Sequence, residues 1–145
     1  MKWKQEAIEK LRKYNLLLSA RVNIPEEIAR LESEACSIKS ATADGTPVQG
    51  GGNKREDRIL DNIMAREELQ LQYKRNEREI HAIERGIAAL NEEERRVLKE
   101  MYMTSDKGGK ERLMRELNLT DETSLYKKAK RILYRFTLAM YGYMD

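Results

Sequence analysis

The sequence predicts an all-α protein in which a long antiparallel helical (coiled-coil) hairpin over 1–90 precedes a domain of shorter helices over 91–145. Three observations predict it. Apolar residues recur at spacings of three and four along most of the chain, as they do on one stripe of a helix. Charged residues make up 37% of the 145 residues and aromatics only 6%, a balance that suits exposed helices better than a thick multilayer core. Gly45, Pro47 and the run Gly50–Gly52 cluster near the first third of the chain, so that stretch divides two long helical patterns.

The first pattern, helix A (1–38), carries Ala7, Leu11, Tyr14, Leu18, Val22, Ile28, Leu31, Ala35 and Ile38 on one stripe. Pro25 lacks an amide proton and clashes with the preceding turn, so helix A is expected to kink or restart there, with Asn23 as its cap. Residues 39–53, KSATADGTPVQGGGN, combine small polar residues, a proline and a glycine run, and predict a flexible loop. Helix B (54–90) then places Ile59, Ile63, Leu69, Tyr73, Ile80, Ile83, Ile87 and Leu90 on a second stripe, interrupted by Arg66, Asn76 and Glu77. A single stripe cannot bury itself, and a loop of this length lets B fold back along A or lets two copies pair.

A fresh helix starts at Asn91-Glu92-Glu93-Glu94. Asn91 can accept from the amide three residues on while Glu94 reaches back, and acidic residues in a first turn suit the helix dipole. Val97, Leu98, Met101 and Tyr102 form its apolar face, and TSDKGG (104–109) ends it. Lys110–Leu117 is expected to turn Leu113, Met114 and Leu117 inward. A last helix, beginning near Thr120 or Asp121, is expected to bury Leu125, Ala129, Ile132, Leu133 and Phe136. Between them stand only Asn118, which tolerates the left-handed conformation of a helix stop, and Leu119, which can plug the corner. Two short helices joined so tightly predict a helix-turn-helix over 91–145.

With the leucine side of the last helix docked, Thr120, Thr123, Ser124, Tyr126, Lys127, Lys128, Lys130 and Arg131 are left outside as the candidate DNA-binding residues. Hydroxyls and lysines suit phosphates, Arg or Lys reach guanine edges, and an aromatic can meet a thymine methyl. From Thr123 to Met144 there are five basic residues and no acidic one, a one-sided charge that favours the duplex through counterion release. Asp121 and Glu122 at the tip oppose phosphate but can accept from cytosine. Tyr134, Met140, Tyr141 and Tyr143 form a tail expected to pack back on the hairpin or on a second subunit.

Other chemistries find little support. Cys36 and His81 are the only cysteine and histidine, so one chain cannot assemble a four-ligand Cys/His metal site or a disulfide, and no metal or other cofactor is expected. Cys36 is expected half-buried and His81 solvated. GGGNK and GGK lack the flanking strand and full spacing of phosphate loops. The paired carboxylates Glu67/Glu68 and Glu92/Glu93/Glu94 fit solvated faces and caps, so no catalytic residue is named and the chain is not expected to be an enzyme. No apolar run approaches the length that crosses a bilayer and the first ten residues lack a signal-peptide core, so a cytoplasmic location without membrane attachment is expected.

Two segments, ALNEEERRVLKEMY (Ala89–Tyr102) and KERLMRELNLTDETSLYKKAKRILYRF (Lys110–Phe136), resemble the fourth region of sigma-70-type factors, where an L-x-x-x-E-R-x-V-L helix leads into a helix-turn-helix. The full layout, with a helical hairpin, a loop holding DGTP followed by glycines, and that module, resembles the ArpU/RinA-like family of phage and prophage late-gene transcription regulators. The resemblance implies a bacteriophage-type activator that binds double-stranded promoter DNA, works with bacterial RNA polymerase, and carries its recognition surface on Thr120–Arg131. Two alternatives share this layout: a DNA-packaging subunit resembling a small terminase, and an adaptor that grips RNA polymerase without DNA. A homo-oligomer through the hairpin is compatible with all three.

Overall fold

The computed structural model describes residues 2–43, 52–104 and 107–142, and among these the chain is helical with no strand. The elements are α1 (Lys2–Ala43), α2 (Gly52–Ala88), α3 (Glu92–Leu98), which continues into a π-helical turn (Lys99–Met103), α4 (Gly109–Glu116) and α5 (Glu122–Tyr141). No helix among the described residues is long and apolar enough to cross a membrane. Tyr143 and the centre of the expected loop, 44–51, lie outside the described residues.

Two expectations about the long helices are corrected. α1 runs through Pro25 without restarting, and Asn23 is an interior helical residue instead of a cap. Proline costs the helix one amide bond and crowds the preceding turn, yet the helix continues on both sides, with Ile24 and Ile28 half-buried beside the exposed Pro25. The loop is shorter than 39–53, because residues 39–43 extend α1 and residues 52–53 open α2. Lys39–Ala43 contains neither Gly nor Pro, and adding a turn to an existing helix is far easier than nucleating one.

The chain forms two compact units. One comprises Met1–Leu18 with Arg78–Asp145, and the other Ser19–Glu77. In the Ser19–Glu77 unit, Arg21 forms a two-pronged ion pair with Glu77 (2.7 and 3.3 Å), and the Asn62 amide donates to the Leu31 carbonyl at 2.8 Å. These contacts set the α1 and α2 segments antiparallel. Here the expected stripes are only partly right. Val22 is 58% and Ile63 37% exposed, whereas Asn62 and Asn76 are buried. Asn62 also accepts from Arg66 at 2.9 Å, and Asn76 accepts from Gln72 at 2.8 Å. The polar interruptions in helix B are therefore hydrogen-bonded layers of the packed face. Cys36, expected half-buried, is exposed.

The unit containing both chain ends holds the main core: Ala7 and Leu11 of α1, Ile83 of α2, Leu90, Val97 and Leu98, Leu113 of α4, and Leu125, Ala129, Ile132, Leu133, Phe136 and Met140 of α5. Phe136 is its largest fully buried side chain, and it sits against Gly86, where a Cβ would fall 2.6 Å from the ring. α2 ends at Ala88, and the Arg95 guanidinium reaches its terminal carbonyls, those of Ile87 (3.1 Å) and Ala88 (3.3 Å), which have no partner inside the helix. α3 starts with a full capping box: the Asn91 side chain accepts from the Glu94 amide at 2.8 Å, and the Glu94 carboxylate accepts from the Asn91 amide at 3.1 Å.

Candidate nucleic-acid interface

The candidate interface begins at the corner between α4 and α5. Asn118 is left-handed, with φ 55°. Its amide bonds to the Arg115 carbonyl (3.3 Å), and the Leu119 amide reaches back to the Met114 carbonyl (2.8 Å). This is the paired bond pattern of a Schellman stop, which satisfies the last carbonyls of α4. Leu119, Met114 and Leu117 pack half-buried against the core, so the corner is held from inside. Asp121, not Thr120, caps α5: its carboxylate accepts from the Ser124 amide at 2.9 Å. The Ser124 hydroxyl and amide together, with a smaller contribution from Lys127, hold the Asp121 carboxyl below its ordinary pKa.

Opposite the buried face of α5, the sequence-predicted residues divide into groups. Thr120, Thr123, Lys127, Lys130 and Arg131 are exposed, and Ser124 is half-buried beside the cap. Among the described residues, Lys127, Lys130 and Arg131 enter no ion pair. Lys128 is drawn aside to Glu93 of α3 at 3.3 Å, so its charge is partly answered within the protein. Tyr126 stays on the surface, but its hydroxyl accepts from the Lys110 ammonium at 2.6 Å and its ring lies 5.1 Å beneath that ammonium. The hydrogen bond to Tyr126 raises the Lys110 pKa.

Three residues of this surface were not singled out from sequence as nucleic-acid contacts. Arg135 continues the cationic face but is anchored to buried Glu94 at 2.7 Å. Trp3, from the start of α1, meets Tyr134 edge-on, with ring centroids 6.1 Å apart and planes at 82°. Together with Lys127, Lys130 and Arg131 they line an open groove of about 770 Å³. The α5 members recur every three to four residues, which is the available sequence signal; nothing in the sequence places Trp3 beside them. Of the tail, Met140 joins the core, while Tyr141 stays 41% exposed under the Lys10 ammonium.

Among the described residues no group of His, Cys, Asp or Glu side chains is arranged to hold a metal ion. No protein-family model matches the chain, and neither a curated protein nor a solved structure matches it.

Proposed function

We propose that α4, its corner and α5 act as a helix-turn-helix, and that the chain is a sequence-specific DNA-binding regulator of the phage late-gene type it resembles, activating transcription with RNA polymerase. In this reading α1 and α2 serve as the helical hairpin that carries the module, α5 enters the major groove, and Thr120, Thr123 and Lys127 lie at its leading end. The observation that carries the reading is the left-handed Asn118 corner. It stops α4 within its last turn and leaves α5 with its apolar face docked and Lys127, Lys130 and Arg131 turned outward together. Helices so joined present the N-terminal half of the second to a groove, and unpaired cations on that half release condensed counterions on contact.

The test is a gel-shift selection from random duplex at two salt concentrations. One enriched motif is the result expected of a regulator. Salt-steep retention without a motif would remove sequence-specific regulation. A triple variant K127E/K130E/R131E should lose duplex retention with unchanged helicity; full retention would remove α5 as the reading helix. Lys128 is left out of that variant because reversing it would set like charges beside Glu93.

A further inference from the structure

We infer that the groove between Trp3 and the outer face of α5 binds an unpaired nucleotide segment of a nucleic-acid strand, with bases against the two rings and phosphates on the surrounding cations. The inference extends beyond duplex recognition and does not rest on it, although the two surfaces share Lys127, Lys130 and Arg131.

The groove's composition selects the class of ligand. Its aromatic wall is Trp3 and Tyr134, whose ring planes stand almost at right angles. Tyr134 is 46% exposed, more than a tyrosine held only for packing requires. The rest of the lining is Lys127, Lys130, Arg131 and Arg135, all basic and spaced along one side of a single helix. Arg135 already serves Glu94, so phosphate binding falls chiefly to the other three. A cationic track beside aromatic faces is how single-stranded nucleic acid is held: the charges follow the backbone, and each base, whatever its identity, supplies a flat face to stack. An acidic peptide would satisfy the cations but would supply flat faces only where it carried aromatics. A paired base in a duplex has its faces covered by its neighbours and cannot reach the rings. Every lining residue belongs to the compact unit that contains both chain ends, so the groove needs no second body to complete it.

Trp3 is the sole tryptophan, so the intact chain reports on its own groove. Titration with an oligothymidylate of about ten nucleotides, a length within the usual site size of such grooves, should quench Trp3 emission saturably and with strong salt dependence. Affinity for the same oligonucleotide carrying a dye, read by anisotropy, should fall about tenfold or more in Trp3→Leu and in Tyr134→Leu, and should be retained in Trp3→Phe. Both leucine variants keep apolar bulk at exposed or half-exposed positions, and circular dichroism is the check on their folding. Were Tyr134→Leu to unfold, Tyr134→Phe, which keeps the ring and should keep affinity, together with Trp3→Leu carries the test. The inference is overturned if the oligonucleotide leaves Trp3 emission unchanged, if both leucine variants bind as well as the parent, or if polyglutamate or inorganic polyphosphate quenches equally, which would mark a mere anion surface. Duplex retention measured on the same proteins separates the two readings. Duplex retention by a parent protein whose Trp3 emission does not respond to oligothymidylate would sink this inference alone. Oligothymidylate binding by a parent protein that retains no duplex would sink the duplex reading alone.

Discussion

Gly86 of α2 lies directly against the Phe136 ring of α5: a Cβ built on the glycine would fall 2.6 Å from two ring carbons and 2.8 Å from Cγ of Met140. This absence of a side chain lets α2 and α5 approach closely enough for Phe136 and Met140 to be buried. Gly86→Ala should therefore destabilise the protein by about 1–3 kcal/mol, the usual consequence of overpacking a close-packed core. That loss would oppose and exceed the better helix propensity of alanine. Urea unfolding followed by circular dichroism measures it; an unchanged or raised midpoint would show that the helices can move apart without loss.

Asn118 closes α4 from the left-handed region. Asn118→Gly should be near neutral, since glycine occupies that region without strain, whereas Asn118→Val should lose about 1–2 kcal/mol because a β-branched side chain clashes there. If thermal melts place the glycine and valine variants together, the corner does not depend on backbone conformation.

The cap on α5 is pH-dependent with a definite sign. The Asp121 pKa is lowered by its bonds to the Ser124 hydroxyl and amide, so the carboxylate form is favoured by folding. Its stabilising contribution is complete above the unfolded-state pKa and disappears as pH falls through the lower, folded-state value. The Ser124 amide resonance should titrate with a midpoint below that of an ordinary aspartate, and Asp121→Ala should abolish that titration. A midpoint at the ordinary value would show the bond to be absent in solution.

Glu94 closes the capping box of α3 and pairs with Arg135 of α5 through a carboxylate only 9% exposed. Glu94→Ala removes both at once and should lower stability by about 1–2 kcal/mol, chiefly from the cap, since Arg135 remains hydrated. Arg135→Ala leaves the cap but strands a mostly buried carboxylate, so the two losses should not add in the double variant. Additivity in a double-mutant cycle would mean that the pair carries no coupling.

Lys127 and Lys128 are neighbours in sequence with different surroundings. Lys127 is exposed, whereas Lys128 is half-buried and bonded to Glu93. If both entered phosphate contacts, each neutralisation would reduce the slope of log K against log salt by about 0.9. The structure leads to a different expectation: Lys127→Gln reduces the slope by that amount, and Lys128→Gln changes it much less. Equal slopes for the two variants would place Lys128 on the DNA as well.

The helices were legible in the order of the residues, because they follow from local rules. The stripes of α1 and α2, the capping box at Asn91 and Glu94, the Asn118 stop and the apolar face of α5 all depend on spacing or on chemistry within four residues, which a linear reading sees. Where that reading failed, the deciding partner was distant. Ile63 yielded the packed face to Asn62 because the Leu31 carbonyl offers Asn62 a bond at 2.8 Å. The candidate interface divides in the same way. Its cations on one side of α5 were legible from periodicity, whereas folding in space brings Glu93 to Lys128, Glu94 to Arg135, and Trp3 beside Tyr134. Ion pairing and ring contact depend on separation in space, and Trp3 and Tyr134, at opposite ends of the chain, meet only because the start of α1 packs in the same compact unit as α5.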